Sequence, residues 1–163
     1  MQVIAGEALP PAQRLLILEE GDPVPQALSW RLRATASYER YVNRKEHEEL
    51  ARKSPPLSRN EATRAALIPI RKSERWWALS AEERRAIFEE QSDHIKTGLQ
   101  YLPAIARKLY QCRDLGEPFD FLTWFEFAPK DELAFDELLA RLRRTKEWTY
   151  VDREIDIRLT RAG

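Results

Sequence analysis

The two histidines of this 163-residue chain lie in different settings. His47 stands in KEHEEL, where charged neighbours indicate a solvent-exposed helix. His94 lies on the apolar side of a longer helical pattern. Steps of three and four residues along that side pass through Ile87, Gln91, His94, Gly98, Leu102 and Ile105. We therefore expect His94 to face inward, where an imidazole is either a hydrogen-bonded core residue or a ligand.

Gly98 lies one turn after His94 on the same helical side. A glycine inside a helix costs about 1 kcal/mol relative to alanine, so a compensating gain is expected. The missing side chain could make room for a flat ligand such as a porphyrin, with the imidazole on its metal. Alternatively, His94 bonds a backbone carbonyl in the core, and Gly98 lets a neighbouring strand pack closely. Helical periodicity alone favours this second explanation.

Other candidate residues are uninformative when each is considered by itself. An arginine such as Arg107, in IARKLY, is typically solvated or salt-bridged. Glu147, in TKEW, has the pattern of an exposed carboxylate at a helix end. Adjacent tryptophans before a helix, here Trp76 and Trp77, usually fill a core. Their roles depend on the elements that bring them together.

Strand and helix patterns alternate along the chain. Strand patterns cover residues 14–20, 30–42, 65–70, 119–127 and 150–159, and helical patterns cover 43–53, 80–113 and 131–146. Ser80 and Glu83 form a capping box at the start of the longest helical pattern, and Pro103 should kink it. Pro69 suggests that its strand lies at an edge or carries a bulge. We expect the strand at 119–127 to be central because both of its faces are apolar.

This order predicts an α+β fold, a ferredoxin-like antiparallel sheet with its helices on one face. The other face must be covered by a partner subunit, a second sheet or a flat ligand. We expect residues 1–25 to form a short N-terminal segment with a possible strand. Residues 26–163 would form the ferredoxin-like domain.

Composition excludes several classes of protein. The chain has 27 basic and 27 acidic residues, so it lacks the basic excess of a nucleic-acid-binding surface. No apolar run is long enough to span a membrane. The N-terminus lacks the pattern of a signal peptide, which leads us to expect a cytoplasmic protein. Its single cysteine, Cys112, would then be reduced.

The motifs between residues 65 and 161 resemble the haem-dependent chlorite dismutase family, in particular its short-chain, dimeric branch. The segments that carry this resemblance include AALIPIRKSERWW, EEQSDHIKTGLQYLPAIARKLYQ, FDFLTWFEFAP and LRRTKEWTYVDREIDIRL. A weaker likeness extends through SYERYVNRKEHEEL. The resemblance implies a dimeric α+β barrel, haem b as cofactor and a homodimer, and residues 26–163 would be the haem-binding domain.

The resemblance also implies a set of residues beneath the haem. His94 matches the proximal histidine that binds the haem iron, and Glu147 matches the carboxylate that accepts a hydrogen bond from its other ring nitrogen. Lys72 matches the lysine that joins this network and balances the carboxylate charge. An anionic acceptor makes an imidazole a stronger donor to iron and fixes its orientation.

Further matches lie around the haem. Trp76 and Trp77 match a family pair, of which one packs near the proximal side and the other reaches a propionate with its indole N–H. Tyr41 lies where the family contacts propionates. Short members commonly have asparagine where this chain has Tyr38, which leaves the propionate bonds open. Arg107 matches the distal arginine, a group suited to attracting and holding a small anion.

The activity that the resemblance implies is conversion of chlorite to chloride and dioxygen. Cleavage of a Cl–O bond would give a ferryl species and hypochlorite, and Arg107 would retain the hypochlorite until the two recombine. A haem peroxidase or a coprohaem decarboxylase of the same superfamily is the alternative enzyme, although decarboxylases typically carry glutamine at the position of Arg107. A non-catalytic haem-binding or haem-sensing module, and a barrel without a cofactor, are the alternatives outside enzymes.

Overall fold

A computed structural model of the chain describes residues 1–37 and 41–162, and it is built on a six-stranded antiparallel sheet. The strands lie in the order β1-β6-β3-β5-β4-β2. Their bounds are β1 Gln2–Ala5, β2 Thr35–Ala36, β3 Arg64–Lys72, β4 Ala106–Gln111, β5 Phe121–Phe127 and β6 Val151–Thr160. The antiparallel sheet of the predicted α+β fold is confirmed.

Five α-helices occur in the described residues between these strands. Their bounds are α1 Arg44–Lys53, α2 Glu74–Trp77, α3 Ala81–Arg85, α4 His94–Leu99 and α5 Glu132–Leu142. The capping box predicted from Ser80 and Glu83 is present at the start of α3, and Asn43 and Glu46 form a second one at the start of α1. His47, on α1, is exposed as expected. Within the described residues, no helix combines the length and the apolar character needed to cross a membrane.

The predicted central strand is confirmed, whereas the placement of Pro69 at an edge is wrong. β5 lies between β3 and β4, and β3 lies between β5 and β6. Pro69 is therefore in an interior strand, where it is opposite Leu122 of β5. The irregularity in the pairing of β3 with β6 falls between Arg71 and Lys72. The apolar residues around Pro69 place β3 in the interior of the sheet, because both faces of this strand are covered.

The helical face of the sheet packs on α5. Ile68 of β3 and Phe125 of β5 meet Phe135 and Leu139 in one buried cluster. Leu133 lies outside this cluster and is 82% exposed at the start of α5.

Residues that precede β2 cover part of the opposite face of the sheet. Leu9, Leu15 and Trp30 pack on the cluster that contains Ile155 and Ile157 of β6. N-terminal residues of the same chain therefore cover part of the sheet face for which we expected a partner subunit, a second sheet or a ligand. The division at residue 25 remains a prediction.

The two strands predicted within residues 14–42 differ from the structure. Residues 14–20 form no strand, and the side chains of Leu16 and Ile17 are 60% and 70% exposed. An apolar run without a neighbouring strand has no ladder to join. In the described part of 30–42, only Thr35–Ala36 pairs, with β4. The alternating pattern still places Trp30, Leu32 and Ala34 toward the sheet. Tyr38 lies outside the described residues.

The long helix predicted over 80–113 is wrong beyond Leu99. Residues Ala86–Glu90 form a π-helical turn after α3, and Asp93 has a left-handed backbone with a φ of 50°. A separate helix, α4, follows it. Residues 106–111 are helix formers by type, but they pair with β5 along their whole length and form β4 instead.

Candidate functional site

A single cavity lies between the helical side of the sheet and the helices, and it brings together most of the candidate residues. Its lining includes Tyr41, Lys72, Trp76, His94, Gly98, Arg107 and Glu147. Trp77 is not in this lining. The remaining walls are largely apolar side chains of β3, β4, β5, α4 and α5.

His94 is the first residue of α4, and its ring is bound on one side. Its Nδ1 lies 2.6 Å from Oε2 of Glu147. Because a carboxylate can only accept, Nδ1 carries the proton, and in a neutral ring Nε2 keeps its lone pair for a ligand. Glu89 caps this short helix by accepting from the backbone N–H of Ile95 at 2.6 Å and of Lys96 at 3.2 Å. These bonds fix the start of α4 and therefore the backbone position from which the His94 side chain extends.

Glu147 is buried between two donors. Its Oε1 accepts from Nζ of Lys72 at 2.7 Å, and the two side chains are 4% and 5% exposed. Its backbone N–H donates to Oγ of Ser92 at 3.0 Å, which ties it to the turn before His94. Burial by itself would raise the pKa of Glu147, but the charges of His94 and Lys72 and their hydrogen bonds lower this pKa to about 2. Glu147 is therefore an anion within the protein interior.

Two aromatic rings lie nearly parallel to the imidazole. The Phe88 ring centroid is 4.2 Å from that of His94 with an interplanar angle of 21°, and the Trp148 centroid is 6.2 Å away at 20°. Phe88 and Trp148, as well as Glu89 and Ser92, were not among the residues predicted from the sequence. A weak signal was available for Trp148, because it directly follows Glu147 in TKEW.

Gly98 faces open space in the cavity. A Cβ added to it would meet no heavy atom within 4 Å among the described residues outside its own helix backbone. No strand packs closely on Gly98 in the described structure, and His94 bonds a carboxylate instead of a backbone carbonyl. Both parts of the core explanation are therefore wrong.

The paired tryptophans differ in their surroundings. Trp76 is 1% exposed and lines the cavity, and its Nε1 is buried with no hydrogen-bond partner among the described residues. Nε1 of Trp77 instead donates to Oδ2 of Asp120 at 3.2 Å. Tyr41 lies edge-on to Trp76 with ring centroids 6.0 Å apart, and Arg85 donates to its backbone carbonyl.

Arg107 reaches the cavity from β4 and not from a helix. It is opposite Phe125 in the register of β4 with β5. Alternation along β4 places Arg107 and Leu109 on the cavity side, whereas the exposed Lys108 between them faces away. A half-buried guanidinium thus lies on a wall that also carries Leu109, Phe125 and Thr123.

The donor set fits a haem. An imidazole with a carboxylate on its far nitrogen is a neutral axial ligand with an anionic second partner. The open space at Gly98 suits a flat macrocycle beside the helix, and the unpartnered Nε1 of Trp76 is a donor for an acceptor such as a propionate. The described residues contain no cluster of His, Cys, Asp and Glu that could hold a bare metal ion.

Both the sequence and the fold of the chain have matches among known proteins. The chlorite dismutase family model matches residues 26–162. A dimeric chlorite dismutase from Nitrobacter winogradskyi is 56% identical and superposes with a TM-score of 0.91 over 98% of this chain and 90% of its own. A mutant chlorite dismutase from Candidatus Nitrospira defluvii, in complex with cyanide, is 29% identical with a TM-score of 0.66, over 80% of this chain and 53% of that one.

A curated chlorite dismutase from Ideonella dechloratans is 35% identical over 86 residues. That match covers 53% of this chain but 28% of the relative, so the chain corresponds to only part of it. The family model nevertheless spans most of the chain. The chain belongs to the chlorite dismutase family.

Proposed function

We propose that this protein is a haem b-dependent chlorite dismutase that converts chlorite to chloride and dioxygen. The reaction balances without another reactant, since ClO₂⁻ gives Cl⁻ and O₂. The observation that carries the proposal is the bond between His94 and Glu147 at the wall of a cavity that also contains Arg107.

His94 would hold the haem iron through Nε2. Bound haem would supply the redox chemistry that cleaves and forms the bonds to oxygen. Glu147 keeps the proton on Nδ1 and makes the imidazole a stronger donor. Lys72 balances the charge of Glu147, so that the anion remains stable in an apolar surrounding.

Trp76 and Tyr41 would hold the edge of the haem. Trp76 would donate its buried Nε1 to a propionate, and Tyr41 would pack beside it. Trp77 would act indirectly, because its Nε1 bond to Asp120 fixes the short helix α2 that carries both tryptophans. These assignments follow from the donors and acceptors that each side chain offers.

Arg107 would bind the substrate anion. A guanidinium stays cationic at all working pH values and offers several donors to a small oxyanion. Its apolar neighbours Leu109 and Phe125 would limit competition from water. Arg107 would therefore attract chlorite and retain the hypochlorite formed from it until dioxygen is released.

We further propose a homodimer. The support is the relative from Nitrobacter winogradskyi, which is described as dimeric and matches nearly the whole chain. Light scattering of the haem-loaded protein would test this point, and a monomer at micromolar concentration would contradict it.

Oxygen evolution tests the activity directly. We expect the haem-loaded protein to release one dioxygen per chlorite consumed at an oxygen electrode, whereas haem alone and the haem-free protein release far less. A protein that binds haem but evolves no oxygen would overturn the proposal. Turnover with hydrogen peroxide, or release of decarboxylated porphyrin from coprohaem, would then identify the alternative enzymes.

A further inference from the structure

A second layer of side chains lies behind His94. Trp148, whose ring runs nearly parallel to the imidazole, donates its Nε1 to Oε2 of Glu154 at 2.7 Å. Glu154 is on β6 and is completely buried. Its Oε1 accepts from Nε of Arg143 at 2.9 Å and from Nη2 at 2.7 Å. The contact therefore runs from an ion pair, through an indole, to the ring of His94.

The indole also connects two parts of the site. Trp148 follows Glu147 in the turn Glu147–Tyr150, so the same turn brings a carboxylate to Nδ1 and an aromatic ring to the face of His94. Nζ of Lys72 lies 5.4 Å from the centroid of the Trp148 ring. Rotation of this indole would thus disturb the imidazole, the lysine and the turn that carries Glu147 together.

A buried carboxylate is costly unless its oxygens have donors. Glu154 meets this need with Arg143 on one oxygen and the Trp148 indole on the other. Trp148 is only half-buried, so packing alone leaves its rotamer less restricted than that of a core residue. A charge-assisted bond of 2.7 Å restricts it.

Asp156 is a buried carboxylate that shares Arg143 with Glu154 but is not bonded to Trp148. It lies two residues further along β6, is 3% exposed and also accepts from Nη2 of Arg143, at 3.2 Å. Its other donors come from Arg158, at 2.5 Å and 3.0 Å. The structure gives Trp148 a bond to Glu154 and none to Asp156 within the described residues. Both carboxylates therefore bind Arg143, but only Glu154 is linked to the site through Trp148.

We propose that Glu154 is a positioning residue that, supported by Arg143, holds Trp148 against His94 and so sets the orientation of the imidazole toward its ligand. The ligand part of this inference rests on the proposed haem function, whereas the orientation of His94 is a property of the haem-free protein. Glu154 touches none of the reacting atoms and acts through Trp148 alone.

The first experiment uses the haem-free protein. Because the chain has only two histidines, ¹⁵N-histidine labelling gives two sets of ring resonances, and His47→Gln assigns those of His94. We expect Glu154→Gln and Trp148→Phe to shift or broaden the His94 resonances. Asp156→Asn should leave them in place, although it removes a buried charge from the same arginine. Should Glu154→Gln fail to fold, Trp148→Phe carries the test.

The second experiment measures haem dissociation into excess apomyoglobin and the Fe(III)/Fe(II) midpoint potential. Changes to residues that orient a metal ligand typically reduce metal affinity about 10-fold to 100-fold. We expect haem release to be about 10-fold to 100-fold faster in Glu154→Gln and in Trp148→Phe. The midpoint potential should shift in the same direction in both variants. The double variant should show no further change in either value. Asp156→Asn should keep both values.

Unchanged His94 resonances and unchanged release in both variants would overturn the inference. Equal effects of Asp156→Asn would overturn it as well, because the network would then be a general stabiliser of the fold. If the wild-type protein bound no haem, the proposed function would fail by itself, and the histidine resonances would still decide the role of Glu154.

Discussion

Lys72 and Glu147 form an ion pair inside the protein, with Nζ 2.7 Å from Oε1 and both side chains about 95% buried. Lys53 and Glu49 form a pair with the same separation of 2.7 Å on α1, but their side chains are 37% and 40% exposed. The two pairs thus differ in their access to water and not in their separation. A buried pair is expensive to break because the remaining charge loses its partner without regaining water.

Lys72→Met tests this difference. We expect it to lower the free energy of unfolding of the haem-free protein by about 3 kcal/mol, since Glu147 then lacks its nearest permanent cation. Chemical denaturation at pH 7 measures this loss. Lys53→Met, made at the exposed pair, should have a much smaller effect. Equal losses in the two variants would show that burial does not determine the strength of these pairs.

His94→Ala should abolish tight haem binding, because no other imidazole lines the described cavity. The absorption spectrum after haem addition should lack the Soret band of the wild-type complex and resemble that of loosely bound haem. His47→Ala is the matched control, since His47 lies on the exposed helix α1. A wild-type Soret band in His94→Ala would exclude this residue as the axial ligand.

Gly98 offers a test of the cavity itself. Its backbone is helical and an added Cβ meets nothing within 4 Å, so Gly98→Ala should stabilise the haem-free protein by about 0.5–1 kcal/mol. Gly98→Leu should also fold, but its side chain would project into the cavity and prevent haem uptake. Thermal unfolding and haem titration measure the two effects.

Gly6→Ala is the control for this substitution. Gly6 has a φ of +72°, and its added Cβ would lie 2.8 Å from the backbone oxygen of Asp152. The same change of residue should therefore destabilise the protein at this position. Normal haem titration of Gly98→Leu would contradict the placement of the ligand beside α4.

Arg107→Ala should retain the haem but reduce chlorite turnover. Loss of a hydrogen bond to a charged group costs about 1.5–3 kcal/mol, which corresponds to about a tenfold to hundredfold lower rate constant. Escaped hypochlorite should also bleach the Soret band after fewer turnovers, and a hypochlorite trap should slow this bleaching. Lys108→Ala, on the opposite side of β4, is the matched control. Equal turnover and equal bleaching in Arg107→Ala would exclude the retention role.

The sequence predicts the inward position of His94 although only His94 and Gly98 of the six spaced positions share a helix, α4. It predicts the role of Glu147 only through resemblance. It does not predict that Arg107 lies on a strand, since alanine, arginine, lysine and leucine all favour helices in isolation. Pairing with β5 overrides that preference. The contacts of the His94–Glu147 pair with Phe88, Ser92 and Trp148 depend on how the turn before α4 packs against the turn that carries Glu147. No local sequence pattern encodes such tertiary contacts.

Cys112 provides a probe of the core on the other face of the sheet. Its thiol is completely buried and donates to the backbone oxygen of Phe119 at 3.0 Å. Burial, together with the charges of Asp120 and Glu117, raises the pKa of Cys112 from 9.0 to about 12. At pH 8, iodoacetamide should therefore label the native protein at least about a thousandfold more slowly than the urea-unfolded protein.

The raised pKa of Cys112 also predicts how stability depends on pH. Below pH 9 both the folded and the unfolded thiol are protonated, so this residue has no effect. Between pH 9 and about 12 only the unfolded thiol ionises, which favours unfolding. At pH 10 the loss should be about 1.4 kcal/mol, and Cys112→Ala should remove it. Urea unfolding of both proteins at pH 8 and pH 10 measures this difference, and an equal pH dependence in the two proteins would show that the Cys112 thiol ionises as readily in the folded chain as in the unfolded one.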